Sequence, residues 1–271
     1  MTWQLSGPAL LFCPADRPDR FAKAAAAADV VVIDLEDGVA ASDKAAARRA
    51  LQRTVLDPAT TVVRIAASGT EDQAADIEAL AATPYEVVML AKTESADHVA
   101  ALSPRPVIAL VETPVGVMAI DDIAAAGPVA IMWGAEDLVA ALGGRSSRRA
   151  DGTFRDVARH ARSSVLLAAG AQGVPAIDSV FLDIPDLGGL KTQAEDSVSS
   201  GFAAVACIHP SQVDIVRGAF RPTPEEVDWA RHLLTAAKGA RGVFTFEGHM
   251  VDAPVLRQAR RILDQDSPTP H

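Results

Sequence analysis

Short β-branched runs alternate with Ala-rich amphipathic stretches eight times before residue 220, and no other feature constrains the fold of this chain as much. The runs Ala9–Cys13, Val30–Leu35, Thr61–Ile65, Glu86–Ala91, Val107–Val111, Val129–Trp133, Ser179–Leu182 and Ala203–Ile208 read as strands. They are near-continuously apolar, the pattern of strands buried on both faces. Each is followed by a helical stretch: Pro18–Ala28, Ser42–Val55, Thr70–Ala82, Ser95–Leu102, Val115–Ala126, Phe154–Gly170, Leu187–Ser200 and Gln212–Ala219. Ser42, Thr70 and Ser95 stand where N-caps belong. Repeated βα units demand parallel strands joined by right-handed crossovers. Eight of them over residues 1–220 predict an α/β fold of the closed (β/α)8 TIM-barrel type, which takes about 250 residues. The competing doubly wound sheet lacks its Gly-x-Gly-x-x-Gly after the first strand.

A barrel does not use residues 221–271. Pro222–Gly239 reads as a helix with Thr223 as cap and Pro224 in the first position, Arg241–Val251 is broken by glycines, and Ala253–Asp264 is helical again. Ser267–His271 reads as a frayed tail. We expect this C-terminal helical extension to pack on a neighbouring subunit.

The 35 acids and 25 bases leave a net charge of −10 without any long basic run, which excludes nucleic acid and anionic membrane surfaces as partners. Hydrophobic residues at 49% without an 18-residue apolar window describe a globular chain and no membrane span. Two cysteines, Cys13 and Cys207, provide neither a disulfide framework nor a zinc-site spacing. Residues 1–8 lack the pattern of a signal peptide. A cytoplasmic location is the expectation.

Active sites of such barrels form where strands end. Seven of the eight predicted strands end in ionisable residues: Asp34-Leu35-Glu36-Asp37, Arg64, Lys92 with Glu94, Glu112, Glu136-Asp137, Asp183 and His209. Acids outnumber bases there, and oxygen donors without His or Cys suit Mg²⁺. Glu112 and Asp137 leave neighbouring strands and form the best metal pair; the competing reading makes them helix-capping acids, with Glu136 able to take Asp137's place. Arg64 in an apolar strand offers a fork for a substrate carboxylate, or else pairs internally with Asp34 or Glu36. Lys92 either adds to this field or serves as the Schiff-base lysine of a metal-free aldolase.

The segments Leu11-Phe12-Cys13-Pro14-Ala15-Asp16-Arg17-Pro18-Asp19-Arg20-Phe21, Ile33-Asp34-Leu35-Glu36-Asp37-Gly38-Val39, Val63-Arg64-Ile65, Glu112-Thr113-Pro114, Gly134-Ala135-Glu136-Asp137-Leu138, Ile208-His209-Pro210-Ser211-Gln212 and Gly248-His249-Met250-Val251-Asp252 occur in this order along nearly the whole chain. Together they resemble the citrate lyase β-subunit-like group of the HpcH/HpaI aldolase and citrate lyase family. That resemblance implies a magnesium-dependent, homotrimeric barrel that cleaves or forms the C–C bond of a 3-hydroxyacyl-CoA. It maps Mg²⁺ to Glu112 and Asp137, and the substrate to Arg64, Glu112, Gly134 and Ala135. It places Asp252, supplied across a subunit interface, in the catalytic set with Arg64, Glu36 and Asp37. The competing reading of Asp252 is a cap before Ala253-Pro254.

CoA is polyanionic, so an acidic protein needs a local basic entrance. Arg17 and Arg20 after the first strand, His209 after the eighth, and Arg148 within the Arg145–Arg149 cluster are the candidates, the cluster on a loop that Gly143 and Gly144 would keep mobile. Two other readings stay open: a class II aldolase on free hydroxy acids, and a citrate lyase β-like subunit that works only with partners. Malyl, citramalyl, hydroxymethylglutaryl and citryl thioesters differ too little for the sequence to choose among them.

Overall fold

The computed structural model describes residues 3–240 and 242–266, in two compact units, Met1–Arg217 and Gly218–His271. The expected tail Ser267–His271 lies outside the described residues.

In the first unit eight parallel strands close on themselves in chain order. They are β1 (Ala9–Pro14), β2 (Val30–Asp34), β3 (Thr61–Ile65), β4 (Val88–Leu90), β5 (Val107–Val111), β6 (Ala130–Trp133), β7 (Ala176–Asp178) and β8 (Ala204–Cys207). Closure comes from β1 pairing with both β2 and β8. Leu10, Val32, Val62, Met89, Ile108, Met132, Ile177 and Ala206 join in one buried cluster, which removes enough apolar surface to drive closure. Register aligns the strand ends: Asp34 pairs with Arg64 and Val111 with Trp133, so the residues just beyond them share one rim.

The helices are α1 (Phe21–Ala27), α2 (Lys44–Arg53), α3 (Glu71–Ala81), α4 (Ala96–Ala100), α5 (Pro114–Met118), α6 (Ile120–Ala125), α7 (Ala135–Ala141), α8 (Asp156–Gln172), α9 (Leu187–Ser200) and α10 (Pro210–Phe220). Thr70 and Ser95 cap α3 and α4 by accepting from Gln73 N–H and His98 N–H. Ser42 does not cap α2: its hydroxyl donates to Asp43, and the helix starts two residues later. The stretch Val115–Ala126 is two helices broken at Ala119 rather than one.

The seventh strand lies earlier than its apolar run suggests. Val180-Phe181-Leu182 runs beyond the sheet because helix side chains hold its backbone: Gln193 Nε2 donates to Ser179 O and Gln212 Nε2 to Phe181 O. The strand therefore ends at Asp178, and Asp183 sits on an exposed loop rather than at a strand end.

The second unit contains α11 (Pro224–Ala237), a hairpin of β9 (Phe244–Phe246) with β10 (His249–Val251), and α12 (Ala253–Asp266). Thr223 and Glu226 form a capping box on α11. The hairpin turns through Glu247 and Gly248, both at positive φ, which suits a two-residue turn. Ala230, Leu233, Val251 and Ala259 form its buried core. Among the described residues no helix is long and apolar enough to cross a membrane.

Candidate active site

A cavity of about 350 Å³ opens where the barrel strands end. Asp34, Arg64, Glu112, Gly134, Ala135 and Asp137 line it, with Phe12, Leu110, Met132, Val180 and Ile208 as the apolar part.

Asp34 organises one side. Its buried carboxylate accepts from Arg64 Nε at 2.7 Å and Nη2 at 2.6 Å, from Glu36 N–H at 2.9 Å and from Gly38 N–H at 2.9 Å. Residue 38 has to be glycine, since a Cβ there would lie 2.2 Å from Asp34 Oδ2. The internal ion pair considered for Arg64 is thus made, side-on. Its Nε and Nη2 are bound to Asp34, and Nη1 pairs with Glu36 Oε2 at 3.6 Å, beyond hydrogen-bond distance. The Phe12 ring, 4.8 Å from Arg64 Cζ, supports the guanidinium.

Glu112 is nearly fully buried at the end of β5, its Oε1 accepting from Lys92 N–H at 3.0 Å. Burial, and after it the charge of Asp137, pushes the Glu112 carboxyl up to about 8. Two carboxylates on one cavity wall, one of them raising the cost of ionising the other, fit a divalent cation. Among the described residues no group of three or more His, Cys, Asp or Glu forms a metal cage. Mg²⁺ needs none, since one or two carboxylates with water and substrate suffice. Glu136 and Asp137 both line the cavity; Ser147 Oγ donates to Glu136 Oε1 at 2.5 Å, whereas among the described residues no side chain holds Asp137.

Gly134 and Ala135 both line the cavity, and Ala135 N–H donates to Ser179 Oγ at 3.1 Å. Glu36 is buried and Asp37 exposed, and Lys92 Nζ bonds to both, at 2.9 Å from Asp37 Oδ2. Burial alone would lower the Lys92 ammonium's pKa, but its bonds to Glu36 and Asp37 outweigh that and raise it. A lysine held protonated in this way is a poor Schiff-base nucleophile. Burial also pushes Cys13 up to about 11 and Cys207 to about 12, so neither is a thiolate.

Arg17 and Arg20 are exposed after β1, and His209 is exposed with Nδ1 2.8 Å from Ser211 Oγ. Arg148 is turned inward, contrary to its expected place at the cofactor entrance. Its guanidinium lies between Phe154 (4.0 Å) and Phe181 (5.0 Å) and donates to Gly152 O and Gln193. Those bonds, with Arg149 to Phe154 O, tie down a loop expected to be mobile; Arg145 remains exposed on it. Asp252 lies in the second unit, where Oδ1 accepts from Val255 N–H at 3.4 Å, so its capping geometry is present.

Sequence reasoning missed Asp178. Fully buried, it accepts from Trp133 Nε1, Ser179 N–H, Ser197 Oγ and Arg162 Nε and Nη2, at 2.6–3.0 Å. Through Ser179 it supports the start of α7, which carries Asp137. The signal was a lone acid ending Pro175-Ala176-Ile177, hidden by the misplaced strand.

A (β/α)8 barrel with an arginine fork beside a carboxylate pair at its mouth, taken with the family and relatives that follow, defines the class, a magnesium-dependent lyase. Residues 9–210 match the model of the HpcH/HpaI aldolase/citrate lyase family, and the chain belongs to that family. It is 60% identical over 264 residues to a citrate lyase subunit beta-like protein of Mycobacterium tuberculosis, covering 97% of each chain. It is 32% identical over 268 residues to the human mitochondrial citramalyl-CoA lyase, covering 86% of this chain and 77% of that one. Among solved structures, it is similar to CitE from Mycobacterium tuberculosis in complex with magnesium, acetoacetate and coenzyme A, with a TM-score of 0.94 at 60% identity, covering 96% of this chain and 98% of that one.

Proposed function

We propose that this chain is a Mg²⁺-dependent lyase and synthase of 3-hydroxyacyl-CoA thioesters, cleaving them to an acyl-CoA such as acetyl-CoA and an oxo acid. The observation that carries this reading is the side-on clamp of Arg64 by Asp34, which fixes the guanidinium in the cavity that Glu112 and Asp137 line. The relatives' thioester and CoA chemistry supports it.

Glu112 and Asp137 would hold Mg²⁺, which supplies Lewis-acid stabilisation of the charge developing on the substrate oxygen. Arg64 binds the oxo-acid carboxylate and orients it. Gly134 and Ala135 let the substrate approach the cavity wall. Glu36 and Asp37 belong to the catalytic set through their shared contact with Lys92. In synthesis Asp252 takes a proton from the acetyl-CoA methyl group and the oxo oxygen gains one from solvent; in cleavage the 3-hydroxyl gives up its proton to solvent as the C2–C3 bond breaks, and Asp252 returns one to the enolate carbon. We place it across the interface of a homotrimer working in the cytoplasm. CoA phosphates meet Arg17, Arg20 and His209, with Arg145 in the role first given to the inward-turned Arg148.

Chelation tests the metal: EDTA abolishes cleavage and added Mg²⁺ restores it, and undiminished turnover after exhaustive chelation refutes the reading. Asp252→Ala retains Mg²⁺ binding and loses most turnover; unchanged turnover removes Asp252 from the mechanism.

A further inference from the structure

The barrel mouth gathers more carboxylates than a magnesium site uses, and among the described residues the side chains of Asp34, Glu36, Asp37 and Glu136 are each held by another side chain. Asp34 is taken by Arg64, Glu136 by Ser147, and Glu36 and Asp37 by Lys92. Glu36 Oε1 and Asp37 Oδ2 converge on one point, and the Lys92 ammonium occupies it. A pair of converging carboxylates is what a hard divalent cation takes when nothing else is there. An ammonium is a compact point charge with three donors, suited to fill such a point.

Lys92 pays for this place in backbone conformation. Its φ is +49°, in the left-handed region where a side chain is disfavoured and glycine is at ease. The same turn aims its N–H at Glu112 Oε1. One residue thus holds the Glu36–Asp37 loop through its side chain and orients Glu112 through its backbone.

We propose that Lys92 is a positioning residue that sorts the acids of the mouth, keeping Glu36 and Asp37 off the metal and reserving Glu112 and Asp137 for it. This rests on the reading of Glu112 and Asp137 as the metal pair. The test uses Mn²⁺, a hard cation visible by electron paramagnetic resonance, titrated into the full chain without substrate. The parent and Lys92→Arg bind one Mn²⁺ per chain. Lys92→Met, which keeps the length and loses the charge, and Lys92→Gly, which also relieves the left-handed backbone, bind two, with turnover at least tenfold lower and rescued by Lys92→Arg. One Mn²⁺ per chain in all four proteins, with dissociation constants within threefold, overturns the sorting role. A parent that binds none refutes the metal pair itself, so the two failures are distinguishable.

Discussion

Raising the pH from 6 to 8 is expected to tighten Mg²⁺ binding about 50-fold. Burial and the neighbouring Asp137 push the Glu112 carboxyl up to about 8, whereas a metal ligand has to be ionised. Below that value proton and metal compete, and affinity falls about tenfold per pH unit. Two units below, the deficit is about 100-fold, or about 2.7 kcal/mol. At pH 7 each Mg²⁺ should displace about 0.9 proton. Calorimetric titrations in two buffers of different ionisation heat read affinity and proton release together. The sign for folding is opposite in the metal-free protein. There the native state keeps the Glu112 proton above the unfolded value of 4.5, so stability falls as pH rises from 4.5 towards 8. Affinity that is flat between pH 6 and 9 with no proton release would refute the placement of Glu112 in the metal site.

Gly134→Ala should lower Mg²⁺ affinity about 10- to 100-fold and also cost about 1–3 kcal/mol in urea unfolding. Its φ of −115° tolerates alanine, but the new Cβ would lie 2.7 Å from both Cβ and Oε2 of Glu112, so the carboxylate and the β5 end behind it must shift; unchanged affinity in the same calorimetry contradicts this. Asp178→Ala should destabilise the fold by about 3–5 kcal/mol in urea unfolding, because Arg162 and Trp133 lose their buried acceptor. A loss below about 1 kcal/mol would show that the network contributes little.

The barrel was legible because each strand is buried on both faces and so declares itself as an apolar run between helical stretches. β7 escaped for the same reason: Val180-Phe181-Leu182 is as apolar as a strand, yet Gln193 and Gln212 hold its backbone from α9 and α10. Charges at the strand ends were legible as a site, since the fold brings them to one rim. Which of them is free was not. That depends on contacts distant in sequence, such as Ser147 on Glu136 and Lys92 on Glu36, 56 residues apart. Arg148 looked like a solvated cation because its aromatic neighbours Phe154 and Phe181 come from separate loops.

The central claim is tested most directly by mass spectrometry of the isolated chain incubated with malyl-, citramalyl-, hydroxymethylglutaryl- and citryl-CoA, with and without Mg²⁺. The account expects Mg²⁺-dependent release of acetyl-CoA and the matching oxo acid from at least one of them. Intact thioesters throughout the panel with Mg²⁺ present would contradict it.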